Sequence, residues 1–327
     1  MVFKFPPHAA YRSYRTAHRR HIYSPAPGCF ISKQRQLGIK IKMASMIIKA
    51  ASGLALFASF GAVAVTLQET NTNMWADVVA HIDTEEQEFA VTPVGKNRIL
   101  FTRRSDDDSM TIMESVRGHT GAWSVPAVAE FASPDDADPF FDPYTGMLYY
   151  MSRAAHPAKE EGADDYDVWR VSFDGSKWGD AEALGAGVNT PAHEVFPTTD
   201  KDGTLYFASN RTSGYGGNDI YVAEDNGSGF VAENAGPVIN SAESDSNPLI
   251  LPDGMTLVYY SKRDGGYGEA DLYRAQGGPG GWKDPVNLGR YFNGAKGDFA
   301  PSILDAATFV YTKNKTLTLR PMSRVLR

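Results

Sequence analysis

Glu194 and Arg211 stand at the two ends of the stretch EVFPTTDKDGTLYFASNR, and the chain repeats the arrangement. Asp245 and Arg263 bracket DSNPLILPDGMTLVYYSKR, and Asp136 and Arg153 bracket DADPFFDPYTGMLYYMSR. Weaker copies run from Glu88 to Arg103 or Arg104 and from Asp298 to Lys313. After each strong copy comes a further acid: Asp167, Asp219 and Asp271. A carboxylate opposite a guanidinium can form a structural pair, because arginine's planar fork fits carboxylate oxygens. Several acids in a ring can hold a cation or a basic peptide. An acid left without a base can move a proton.

These charges need elements to carry them, and the repeat supplies them. Anchored on Val91, Pro139, Pro197, Pro248 and Pro301, the units are 48, 58, 51 and 53 residues apart. A fixed period of this length suggests a solenoid or a propeller. Residues 194–243 read as four short strands separated by DKDG, TSGYGG and DNGSG. Asp-Gly and Asn-Gly between alternating runs are hairpin signals. Four antiparallel strands per unit, here a to d, make a propeller blade. The expected fold is all-β: a five-bladed β-propeller of four-stranded antiparallel blades, with six blades as the alternative. Trp75 stands 16 residues before Val91, as Trp123 stands 16 before Pro139. The segment around Trp75 is therefore expected to be an outer strand that completes the last blade and closes the ring.

In that frame each acid begins strand a, its base ends strand b, and the third acid begins strand c. The structural reading is a carboxylate–arginine–carboxylate clip that ties the b–c loop to its blade. The functional reading is surplus negative charge around a tunnel mouth. Gly214, Gly216, Gly266 and Gly268 are expected to supply positive φ in the b–c loops. Tyr215 and Tyr267 ride at the loop tips, either packed on the next blade or exposed as a recognition surface. Trp123, Trp178, Phe230 and Trp282 are expected between blades. The candidate binding face thus comprises Tyr215, Tyr267, Glu194, Arg211, Asp219, Asp245, Arg263, Asp271, Asp136, Arg153 and Asp167. DKDG at 200–203 and DDYD at 164–167 lack the full ligand set of a calcium loop, and His156 and His193 lack a third ligand, so no metal site or cofactor is expected.

The pattern E-x-x-P…DG-x-L-Y-F-x-S-x-R…GYG-x-x-D-I-Y resembles the WD-like propeller repeats of TolB. It is similar above all to those joined to OmpA-type peptidoglycan-binding domains. The resemblance spans roughly residues 88–315. It implies a periplasmic or secreted, non-enzymatic propeller that binds an envelope protein, peptide or glycan on its loop face. It departs from TolB in having five units rather than six. The alternative is a carbohydrate-active enzyme, glycosidase or lyase, which needs unpaired carboxylates in the funnel about 5–10 Å apart. Its inner-strand candidates are Asp142 and Asp305.

Charge and leader agree with export. Residues 1–64 hold ten Lys or Arg and no acid, which leaves 22 basic and 39 acidic residues beyond, a charge of −17. Such a body repels nucleic acid and anionic membranes. Lys40, Lys42 and Lys49 precede an apolar run from Ala50 to Val65 with a small-x-small AVA at 62–64. Residues 43–64 read as a signal peptide, 1–42 as a basic extension that is disordered or not translated, and 65–327 as the propeller. Membrane contact would come only through an uncleaved signal. The single cysteine, Cys29, excludes a disulfide framework.

Overall fold

A computed structural model of the protein describes residues 74–160 and 164–327. The basic extension at 1–42 and the signal at 43–64 lie outside the described residues. A helix, α1, covers 74–82. Blade 1 follows as β1 (Gln87–Val94), β2 (Arg98–Arg104), β3 (Met110–Val116) and β4 (Ala127–Val128). Blade 2 contains β5 (Ala137–Asp142), β6 (Met147–Ser152), β7 (Asp167–Ser172) and β8 (Glu182–Ala183). Blade 3 contains β9 (Glu194–Thr199), β10 (Leu205–Ser209), β11 (Asp219–Asp225) and β12 (Phe230–Asn234). Blade 4 contains β13 (Asp245–Ile250), β14 (Thr256–Ser261), β15 (Asp271–Gln276) and β16 (Val286–Asn287). Blade 5 has three strands, β17 (Asp298–Asp305), β18 (Thr308–Lys313) and β19 (Thr316–Pro321), and a short helix, α2 (Met322–Val325), follows it. The result is a five-bladed propeller of antiparallel sheets.

Inner strands are buried on both faces because neighbouring blades cover them. All six residues of β13 are buried, whereas β4 is exposed throughout. Trp178 bridges blades: its indole N–H donates to Glu114 of blade 1 at 3.0 Å. Trp282 is buried, while Trp123 and Phe230 are partly buried against interblade clusters.

Every inner strand carries a bulge at the same place. The residue before each anchor is left-handed: Ala90 (φ 51°), Asp138 (54°), Phe196 (57°), Asn247 (47°) and Ala300 (49°). This conformation costs about 1–3 kcal/mol for a non-glycine residue. Its fivefold recurrence makes it a construction rule: the bulge bends each strand as it passes the axis. It also shifts register. Glu194 pairs with Ser209 and Asp245 with Ser261, so Arg211 and Arg263 lie two residues beyond the opposed positions.

Ring closure differs from the sequence expectation. The segment around Trp75 does reach the carboxy-terminal sheet, but as a helix. Trp75, Val78, Val79 and Ile82 pack between Leu304, Val310 and Leu317 of blade 5 and Val91, Ile99 and Phe101 of blade 1. They recur at helical spacing, three and four residues apart, and this period outweighs the strand-like spacing shared with Trp123. The Trp75 indole N–H donates to Asp305 at 2.7 Å. Direct ties complete the seam: the hydroxyl of Ser302 donates to the Val91 carbonyl at 2.7 Å.

The b–c loop glycines serve close approach, not positive φ. None of Gly214, Gly216, Gly266 and Gly268 has positive φ. A Cβ on Gly216 would penetrate the Glu243 carbonyl of the next blade's entry loop, and one on Gly268 would penetrate that of Gly294. Gly216→Ala is therefore expected to destabilise the protein by about 1–3 kcal/mol. Gly265→Asn is the control for a true left-handed site (φ 87°), with a smaller expected cost. Chemical denaturation of the two variants checks the order.

Candidate functional site

The repeated acids form an inner circle of buried loop anchors. Glu88, Asp136, Glu194, Asp245 and Asp298 are all at most 1% exposed. Glu194 accepts the backbone N–H and hydroxyl of Thr190, both at 2.7 Å. Asp245 accepts the same pair from Ser241 at 2.6 and 2.7 Å. Glu88 takes them from Thr84, and Asp298 takes the Gly294 N–H at 2.7 Å. Each acid thus fastens the loop that leads into its own blade, from α1 for Glu88 and from the preceding blade for the others. Burial pushes the carboxyls of Glu194 and Asp298 up, and these hydrogen bonds pull them back.

The expected clip forms only in part. Arg211 meets Glu194 at 3.1 Å, Arg263 meets Asp245 at 2.8 Å and Arg103 meets Glu88 at 2.8 Å. The third carboxylate does not join. Asp219 instead accepts the N–H groups of Tyr215 (2.6 Å) and Gly216 (3.1 Å), and Asp271 accepts that of Tyr267 (2.7 Å). The guanidiniums lie over Tyr221 and Tyr273, at 4.3 and 5.0 Å, and Arg211 also donates to the Val188 carbonyl. Asparagines complete the joint. Asn189, Asn240 and Asn293 each bond both backbone groups of a strand-c residue in their own blade. Each lies five residues before the repeated acid, a spacing legible in VNTPAHE, INSAESD and FNGAKGD.

Blade 2 breaks the rule. Asp136 takes the N–H of Ser133, three residues before it rather than four. Arg153 turns away to the ring of Tyr166 (4.5 Å) and to Asp164 (3.4 Å). Asp167 pairs with Lys159 at 2.6 Å. One oxygen of Asp136 is left buried without a partner, and burial lifts this carboxyl to about 6. Asp138, two residues on, is 6% exposed, and its Oδ2 is also buried without a partner. Burial raises it to about 7, although the positive charge of Arg104 acts in the opposite direction. Asn247 holds the equivalent position in blade 4 and the other three blades have apolar residues there, so the axis receives one carboxyl.

That carboxyl lies at the neck of a funnel. Asp138, Asn247, Thr198 and Ser302 line an axial passage of about 30 Å³, room for a water. At Phe140 and Ser302 the passage meets a cavity of about 360 Å³ that opens on the a–b turn face. Its wall is mainly Pro93, Phe141, Pro143, Tyr144, Ile250 and Pro252, with Thr199, Lys201, Asp142 and Asp305 as polar groups. The principal axial cavity therefore opens opposite the loop face that carries Tyr215 and Tyr267, whose side chains are 51% and 42% exposed.

The two acids proposed for a glycosidase are engaged elsewhere. Asp142 accepts the Tyr144 N–H at 2.8 Å and the Thr145 hydroxyl at 2.6 Å, a turn cap like that of Asp253. Asp305 holds Trp75 and the Ala307 N–H. His156 bonds the Leu184 carbonyl and the Ala158 N–H, and His193 accepts the Tyr166 N–H. Among the described residues no three His, Cys, Asp or Glu are grouped to hold a metal.

No protein-family model and no curated protein matches the chain. Solved structures do. An α-L-arabinofuranosidase from Lactobacillus brevis is similar over 72% of this chain and 90% of its own, at 11% identity and a TM-score of 0.46. Zg3597, a family 117 glycoside hydrolase produced by the marine bacterium Zobellia galactanivorans, is similar over 73% and 85%, at 13% identity and 0.42. A putative TolB from Agrobacterium tumefaciens is similar over 67% and 88%, at 14% identity and 0.36. The expectation of a non-enzymatic protein is corrected here: glycoside hydrolases as well as a putative TolB are among the similar structures.

Proposed function

We propose that this chain is an exported, carbohydrate-active propeller that admits a glycan through the funnel on its turn face. One observation carries the reading: the narrow neck of the funnel holds a single carboxyl, Asp138, with one oxygen buried and unpartnered and its titration shifted by burial to about 7. A carboxyl that keeps its proton near neutrality can protonate a glycosidic oxygen. The neck admits a water, and through it Asp138 gives its proton to the glycosidic oxygen as the C–O bond breaks; a second water from the open funnel adds to the anomeric carbon and returns its proton to the Asp138 carboxylate. Phe141, Tyr144 and the proline rings offer apolar surface to sugar faces, and Thr199 and Lys201 offer polar contacts. The apolar leader and the TolB-type repeats support an envelope setting. The exposed Tyr215 supports docking of an envelope protein or peptide on the opposite face.

The test is release of reducing sugar from a polysaccharide panel. The wild type is expected to turn over at least one glycan, and Asp138→Asn to lose about 10²-fold or more in kcat while remaining folded. Asp142→Asn is expected to lower stability more than turnover. No turnover by the wild type, or full turnover by Asp138→Asn, would overturn the reading.

A further inference from the structure

Guanidiniums and tyrosine rings alternate over blades 4 and 5. Arg290 lies 4.9 Å from the ring centre of Tyr267. Arg320 and Arg324 lie 4.7 and 5.6 Å from that of Tyr291. Tyr267 and Tyr291 are 42% and 50% exposed, and Arg290 and Arg324 are exposed. The two stacks join through consecutive residues, Arg290 and Tyr291. Among the described residues none of these three arginines forms an ion pair. Residues 306–327, which supply Arg320 and Arg324, also carry Lys313, Lys315 and Arg327 and no acid, although Lys315 faces Asp83, Glu85 and Glu86 and the Tyr267 loop holds Asp264 and Glu269.

We propose that this patch binds an acidic polysaccharide, a chain of uronate sugars. Stacking on a ring orders each guanidinium in advance and leaves its N–H edge for an anion. Carboxylates suit that fork. The body charge of −17 decides the shape of the partner. A flat anionic bilayer would meet the repulsive body as well as the patch, whereas a thin glycan strand meets the patch alone. Exposed tyrosine rings also offer apolar contact to sugar faces. The inference rests on the funnel being a glycan site: the patch runs along blades 4 and 5 from Tyr267 on the loop face to Arg320 and Arg324 at the turn end of β19, beside the Asp305–Ala306 rim of the funnel, so a polymer held there reaches the mouth.

The test is titration of the full protein with polygalacturonate, its methyl-esterified form, polyglutamate and anionic phosphatidylserine vesicles. Polygalacturonate is expected to bind, the esterified polymer not to bind, and Arg290→Glu/Arg324→Glu to weaken binding about tenfold or more. Equal binding of the esterified polymer, tighter binding of polyglutamate or of the vesicles, or unchanged affinity in the double variant overturns the proposal. Asp138→Asn is expected to bind polygalacturonate as the wild type does. Binding that depends on Arg290 and Arg324 without any sugar release would therefore sustain the patch while defeating the funnel reading.

Discussion

The folded protein is expected to be more stable at pH 5 than at pH 8, and Asp138→Asn to remove much of the difference. In the folded state the Asp138 carboxyl titrates near 7, against 3.8 for an ordinary aspartate. The folded state therefore holds a proton that the unfolded chain releases. Its contribution is complete below about pH 4 and is lost as pH rises through 7. A displacement of this size corresponds to an order of 4 kcal/mol. Asp136, lifted to about 6, acts in the same direction over a narrower window, and burial also raises Glu194 and Asp298. Self-repulsion of the acidic body adds to the trend in both proteins, so the comparison isolates Asp138. Asparagine keeps the shape and removes the charge. At pH 8 the variant is expected to melt several degrees above the wild type, and near pH 4 the two should coincide. Thermal unfolding monitored by tryptophan fluorescence across this range checks it. The same Tm difference between the two proteins at pH 8 as at pH 4 would show that Asp138 is ionised and solvated in the folded state. A gain in stability together with a loss of turnover would identify Asp138 as a residue kept for function at a cost to the fold.

The repeat was legible because its signals are local. Asp-Gly turns and alternating strands define each hairpin, and β9 to β12 fall on either side of the DKDG, TSGYGG and DNGSG turns as expected. Five units, the interblade aromatics and the pairing of Glu194 with Arg211 and Asp245 with Arg263 followed from them. The inner bulge was not legible, since four of the five anchors are prolines that a strand accepts at a bulge or an edge alike. The funnel's position was hidden for a related reason. A hairpin pattern states which residues oppose one another, but not which end of the inner strands splays from the axis. Asp138 is masked in the sequence by Asp136, which holds the repeated acid position two residues before it. Its solitude is visible only once Ala90, Phe196, Asn247 and Ala300 are superimposed on the same ring. Blade 2 likewise matched its neighbours in residue types, yet Arg153 goes to Tyr166 and Asp164.

Trp75→Ala is expected to cost about 3–5 kcal/mol, the range for emptying a buried tryptophan site, and to lower Tm by roughly 10 °C. The side chain is 7% exposed and fills the seam between the first and last blades, where a closing strand would otherwise stand. Bulk and hydrogen bond can be separated. Trp75→Phe keeps most of the apolar contact but leaves Asp305 without the 2.7 Å indole donor, for an expected loss of about 1–2 kcal/mol. Trp282 supplies the control, because it is also buried yet its indole nitrogen has no partner. Trp282→Phe should therefore cost less than Trp75→Phe, since it removes a polar group that is already unsatisfied. Equal costs would mean that the indole–carboxylate bond contributes nothing to closure. An unchanged Tm in Trp75→Ala would mean that β1 and β17 hold the ring shut unaided. The same bond reaches the funnel wall through Asp305, so any widening of the seam must move that wall. A closing helix, unlike a closing strand, ties the integrity of the ring to the shape of the cavity it encloses.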